Sequence, residues 1–166
     1  MIDCDGYFDY QMNKELISPF LSSMSNVLAT MASMESQAGQ PRLKKDKCPS
    51  ADITGLIALS STKAVGTLAI SFTSDVILDV ASRMLMEQFK VVNEEIVDLV
   101  GEITNMVTGS AKQLLEEKGF DFDMATPIVI QGQQQYVTHL SDGPTIVVPY
   151  STHAGDFYVE MSFKSK

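Results

Sequence analysis

The sequence predicts an α+β fold, with long helices packed on a mainly antiparallel β-sheet. Three observations carry this expectation. Two long segments, 13–34 and 93–118, repeat apolar residues every three or four positions, the period of a helix with one buried stripe. Six shorter runs, at 53–60, 65–72, 127–131, 136–140, 145–150 and 157–163, read as strands. The strands fall in hairpin pairs, and helices interleaved with hairpins favour antiparallel over parallel pairing. A chain of 166 residues buries roughly 68–70% of the surface its unfolded form exposes, enough for a core without staples. No linker divides it, so residues 1–166 are expected to form one domain.

Composition narrows the function classes. An apolar fraction of 45% with 20% charged residues describes a folded domain. Twelve basic against 21 acidic residues give a net charge of −9, which repels nucleic-acid phosphate and anionic lipid and excludes both as primary partners. Cys4 and Cys48 form no paired spacing, and His139 and His153 lie near neither, so no zinc site or disulfide framework can be built from them. The acidic start Met1-Ile2-Asp3-Cys4-Asp5 is unlike a secretory signal, and no run approaches the roughly 18 apolar residues of a membrane span. A cytoplasmic location is expected.

The elements follow in order. Leu16, Ile17, Phe20, Leu21, Met24, Val27, Leu28, Met31 and Met34 define the first helix from Asn13 to about Met34, with residues 1–11 expected to be flexible before it. Pro19 belongs in its first turn or at a kink. Its methionines read as adaptable core filler before they read as a soft binding groove. Residues 36–50, with Gly39, Pro41, Pro49 and the run Lys44-Lys45-Asp46-Lys47, read as a mobile loop or edge segment. The runs 53–60 and 65–72 form a hairpin across Ser61-Thr62-Lys63. Thr73 and Ser74 are natural N-caps for a second helix, whose first turn holds Asp75 and which fades near Gln88. Asn93 caps the third, Glu94 and Glu95 sit in its first turn, and Gly119 stops it. Asp142-Gly143-Pro144 and His153-Ala154-Gly155-Asp156 are turns between the later strands.

The third helix is the most informative element. At about 100° per residue, Ile96, Leu99, Val100, Ile103, Met106, Val107, Ala111 and Leu114 form its core face. The opposite face carries Asp98, Glu102, Asn105, Gly109, Lys112 and Glu116. Asp98 and Glu102 are four apart and Glu102 and Asn105 three apart, so the three side chains are neighbours on one ridge. Such a ridge is either a solvated surface or a docking site. Gly101 and Gly109 weaken the first reading, because glycine inside a helix costs up to about 1 kcal/mol relative to alanine and a solvated face gains nothing from it. Close approach of another backbone would explain both. A carboxylate can hold an ammonium group, and a carboxamide one turn away can donate and accept at once. Together they can orient a water for attack, which suits phosphoryl hydrolysis, where positioning and electrostatics supply nearly all of the catalysis.

The run Asp98-Leu99-Val100-Gly101-Glu102-Ile103-Thr104-Asn105-Met106-Val107-Thr108-Gly109-Ser110-Ala111-Lys112 closely resembles the motif helix of the CheX/CheC chemotaxis phosphatases. The closing Ile146-Val147-Val148-Pro149-Tyr150 and Gly155-Asp156-Phe157-Tyr158-Val159-Glu160 are similar as well. The resemblance covers about Ile53 to Phe163, is looser over the first helix and is absent from Met1 to Gln11. It implies a CheC-like fold and hydrolysis of the aspartyl phosphate of a CheY-type response regulator. Carried over residue by residue, it makes Asn105 the group that orients the attacking water and Glu102 the partner of the regulator's active-site lysine. Asp98, Gly101, Gly109 and Lys112 are expected to be partner-binding. The magnesium would belong to the regulator, so this chain needs no cofactor or metal of its own. Glu15 is followed by Ser18 and Glu35 by Ala38, so a second Glu-x-x-Asn copy is missing from the first helix and the one-motif CheX type, a homodimer, is the better match. A non-catalytic module that docks a receiver domain or a flagellar-switch-type partner on the same ridge is the competing function. The clusters His139/Ser141/Asp142 and Thr152/His153/Asp156 read as turn chemistry, since no nucleophile elbow accompanies them.

Overall fold

The computed structural model describes residues 4–43, 51–132 and 145–165. Among them the chain forms three helices, α1 (Cys4–Met31), α2 (Ser74–Leu85) and α3 (Glu94–Glu117). The eight described strands are β1 (Gln37–Ala38), β2 (Arg42–Leu43), β3 (Ile53–Ser60), β4 (Ala64–Phe72), β5 (Asp123–Met124), β6 (Ile128–Gln131), β7 (Thr145–Thr152) and β8 (Gly155–Ser165). They build one sheet in the order β1-β7-β8-β4-β3-β5, with β2 also on β7 and β6 also on β3. Every ladder is antiparallel, as the sequence predicts.

Register explains why all three helices share one face. Gly55, Ile70, Val159 and Val148 lie opposite one another across β3, β4, β8 and β7, which sets one side-chain parity for the whole sheet. On that face Phe20 of α1 meets Phe163, Val76 of α2 lies beside Gly155, and Thr104 of α3 lies over Gly55. Phe157 stacks between Phe72 and Tyr150 with centroids 5.3 and 4.8 Å apart. Tyr150 is fully buried, and its hydroxyl donates to the Leu21 carbonyl of α1 at 3.2 Å. Burial pushes this phenol up to about 12, against a smaller lowering by the Ser25 hydrogen bond. The other face carries short hydroxyls, with Thr54 and Ser71 hydrogen-bonded across β3 and β4 at 2.9 Å.

Helix ends follow local chemistry. The Asn93 side chain accepts from the Ile96 N–H at 3.1 Å, as a cap should. At the other end Gly119 has φ +88°, its N–H reaches the Glu116 carbonyl, and the Phe120 N–H reaches Leu115. This is a Schellman stop, closed by the buried pair Leu115 and Phe120.

Several expectations need correction. α1 begins at Cys4, well before the expected start at Asn13. Pro19 therefore lies inside α1, beyond its first turn. The carbonyl it leaves without a helical donor, that of Glu15, accepts from Lys118 Nζ at 3.4 Å. Of the two readings of the 36–50 segment, the edge one holds for β1 and β2, which pair with β7; Lys44 to Ser50 lie outside the described residues. Thr73 stands at the N-cap of α2, but its hydroxyl donates to the Asp156 carbonyl, and Asp52 Oδ2 accepts from the Ser74 N–H at 2.7 Å instead. α2 ends at Leu85, with Met86 left-handed at φ 54°. β5 is too short to show a period. The 136–140 run and the Asp142-Gly143-Pro144 turn lie outside the described residues.

Candidate functional site on helix α3

α3 packs on β3, β4 and β6 with one face and against α1 along its side. Ile96, Leu99, Val100, Ile103, Val107 and Ala111 are buried as predicted. Three core positions differ: Met106 is half-buried, Leu114 is exposed and Leu115 is buried in its place. Thr104 and Thr108 are also fully buried. Their hydroxyls donate to the Val100 and Thr104 carbonyls at 2.7 and 2.6 Å, which satisfies each polar group within the helix itself. Gly55 makes the burial of Thr104 possible, because a Cβ there would overlap Thr104 Oγ1.

The opposite ridge is open. Asp98 and Glu102 are exposed and Asn105 is half-buried. Among the described residues no side-chain hydrogen bond or ion pair engages any of the three. Lys112 pairs with Glu116 at 3.6 Å, one turn further along. It stands about 15 Å along the axis from Glu102, too far to neutralise it. The N-terminal half of the ridge, with Glu94, Glu95, Asp98 and Glu102, is thus uniformly acidic.

Asn105 also lines a groove between α1 and α3 of about 430 Å³. Asn26, Val27, Thr30 and Met31 form the α1 wall; Met106, Gly109, Ser110 and Gln113 complete the α3 side. The α1 residues are absent from the sequence-based site, because periodicity within one helix does not say which neighbour flanks it. The methionine reading divides accordingly: Met24 and Met34 are core, whereas Met31 is 48% exposed at the groove. The two α3 glycines separate as well. A Cβ on Gly109 would meet nothing within 4 Å, so the close-approach argument fits it. Gly101 is turned to the flank, where a Cβ would sit 3.5 Å from Val129 of β6, an ordinary contact within this chain.

The Thr152/His153/Asp156 cluster behaves as turn chemistry. Thr152 Oγ1 donates to the Gly155 carbonyl and accepts from the Ala154 N–H, closing the β7–β8 turn. His153 Nε2 lies 3.1 Å from Asp79 Oδ2 and 3.2 Å from Arg83 Nη2, tying that turn to α2. His139, Ser141 and Asp142 lie outside the described residues. Among the described residues no helix is long and apolar enough to cross a membrane.

The antiparallel sheet of eight described strands with three helices places the chain in the class of CheC-like proteins. The family model for the chemotaxis phosphatase CheX matches residues 53–151, and the chain belongs to that family. A chemotaxis protein CheX from Vibrio vulnificus is 44% identical, with a TM-score of 0.87 over 90% of this chain and 99% of the other. The CheY-P phosphatase CheX of Thermotoga maritima is 25% identical over 93% of this chain and 99% of its own. A CheX–CheY–BeF3–Mg2+ complex from Borrelia burgdorferi superposes with a TM-score of 0.75 at 25% identity, covering 90% of this chain and 97% of that one.

Proposed function

We propose that this chain hydrolyses the aspartyl phosphate of a CheY-type response regulator, with Asn105 and Glu102 as its working groups. The observation that carries the reading is the pair itself: a carboxylate and a half-buried carboxamide, one turn apart on α3 and engaged by nothing among the described residues. Glu102 pairs with the regulator's active-site lysine and fixes the approach of α3. Asn105 then enters beside the phosphoryl group, where its amide hydrogen-bonds the attacking water and holds it in line with the bond to be broken. The water oxygen bonds to phosphorus as the bond from phosphorus to the aspartyl oxygen breaks. Inorganic phosphate and a free aspartate result. Charge on the phosphoryl oxygens is met by the regulator's own magnesium and lysine, so this chain supplies position more than charge. The magnesium-bearing CheX–CheY complex of Borrelia burgdorferi supports placing the metal on the regulator.

Asp98 extends the acidic ridge and Gly109 leaves room for the partner. The rest of the proposal rests on the resemblance to one-motif CheX proteins: a single domain over residues 1–166, a homodimer and a cytoplasmic location. The deciding experiment follows loss of phosphate from a phosphorylated receiver domain, with this protein at catalytic stoichiometry. Accelerated, repeated turnover is expected. Stoichiometric binding with an unchanged decay rate would make the chain a docking module instead.

A further inference from the structure

The acidic ridge ends at Asn105, and the groove between α1 and α3 begins there. None of the nine residues lining the groove carries a charge, whereas the ridge beside it is acidic. The groove, about 430 Å³ in volume, is open to solvent along its length. Its polar groups are uncommitted: among the described residues Asn26, Thr30 and Gln113 make no side-chain hydrogen bond or ion pair. Met31 supplies a half-exposed, adaptable apolar surface, and Gly109 leaves its side of the groove open.

We propose that this groove takes an uncharged, partly apolar loop of the receiver domain that borders its phosphoaspartate, and that Asn26, Thr30 and Met31 of α1 determine which receivers are accepted. The inference rests on the phosphatase reading above and names a second contact for the same partner. Its first support is continuity. A phosphoryl group brought to the Asn105 amide sits at the edge of the groove, within reach of its flanking chain, because Asn105 is itself part of the lining. Its second support is charge. A charged side chain would enter this neutral cleft without a counter-ion, at a desolvation cost that an apolar or amide-bearing segment does not face. The two halves of the surface then divide the work. The ridge attracts and orients the basic pocket of the receiver, and the groove reads the shape of the loop beside it.

The test is binding of the full chain to beryllofluoride-activated receiver domains, followed by turnover of the phosphorylated forms. Thr30 is exposed on α1, so Thr30→Trp fills the groove without entering the core. It should weaken receiver binding at least tenfold and raise KM in parallel, with kcat within about twofold of wild type and an unchanged melting curve. Ser22→Trp, exposed on the same helix outside the groove, should leave both parameters alone. The Thr30→Trp loss should be the same at low and high salt, whereas loss from Glu102→Gln should shrink as salt rises. A dye on Thr30→Cys, in a background with Cys4→Ser and Cys48→Ser, should respond to the activated receiver. Wild-type turnover with unimpaired Thr30→Trp binding would overturn the groove proposal and leave the phosphatase reading standing. Binding weakened by Thr30→Trp in a protein that does not turn over would uphold the groove and remove the phosphatase. A dye response to the chain's own concentration, and not to receiver, would assign the groove to a second copy and overturn the proposal.

Discussion

The two faces of α3 put similar residue types to opposite uses. On the inner face Thr104 and Thr108 are buried, each hydroxyl returning to a carbonyl one turn back, with Gly55 of β3 pressed against Thr104. On the outer face Asp98, Glu102 and Asn105 have no partners among the described residues. Polar groups that the fold consumes are satisfied locally, and polar groups left free are available to another molecule. Changes on the inner face should therefore register as stability, and changes on the outer face as turnover.

Asn105→Ala sets the largest contrast. Removing one preorganised donor from a catalytic site costs about 10²–10³ in rate. The same loss is expected here, measured as decay of the phosphorylated receiver, while thermal unfolding stays at the wild-type midpoint. An Asn105→Ala protein that turns over at full speed removes the role assigned to the amide. One that loses stability in step with activity places Asn105 in the fold instead.

Glu102→Gln probes the same face with a smaller effect. A hydrogen bond to a charged group contributes about 1.5–3 kcal/mol, so capture of the receiver should weaken roughly 10- to 150-fold. The wild-type affinity should also fall as salt rises, because exposed ridge charges meet basic groups on the partner across solvent. An affinity flat across ionic strength, or a Glu102→Gln protein with unaltered capture, breaks the proposed ion pair. On the inner face, Gly55→Ala forces its new methyl into Thr104. Overpacking of this kind costs about 1–3 kcal/mol, equivalent to about 2–4 °C of melting temperature per kcal/mol. Turnover per folded molecule should stay within a few-fold of wild type, and a collapse in turnover at full stability would erase the distinction between the faces.

How much of this was legible in the sequence follows from the range of each interaction. The β3–β4 hairpin, the Asn93 cap and the Gly119 stop are local, and each lies where its residues predict. The ridge of Asp98, Glu102 and Asn105 is equally local, a consequence of helical spacing alone. Misreadings arise where a distant partner decides. Thr73 looks like a cap but gives its hydroxyl to Asp156, because Asp52 reaches the helix start first. Of the two places open to Pro19, the first turn is excluded, and inside α1 Lys118, at the far end of α3, meets the bared Glu15 carbonyl. The groove needs α1 and α3 side by side, which neither helix encodes by itself.

Gly101 and Gly109 give the smallest effect and the sharpest form of the comparison, since sequence alone treats them as equivalent. Alanine at either position should stabilise α3, because glycine inside a helix costs roughly 0.5–1 kcal/mol relative to alanine. Neither methyl meets a clash: at Gly101 it would rest at 3.5 Å from Val129, and at Gly109 it would meet nothing within 4 Å. The consequences for function should nevertheless diverge. Gly101→Ala adds a contact inside this chain and should leave receiver binding unchanged. Gly109→Ala projects its methyl into the groove beside Asn105 and should raise KM several-fold in a protein that melts about 2–4 °C higher for each kcal/mol gained. A more stable protein with weaker capture cannot be explained by damage to the fold, so the pair separates room kept for a partner from incidental glycine. If Gly101→Ala weakens capture and Gly109→Ala does not, the receiver approaches over β6, and the groove lies on the wrong side of the helix.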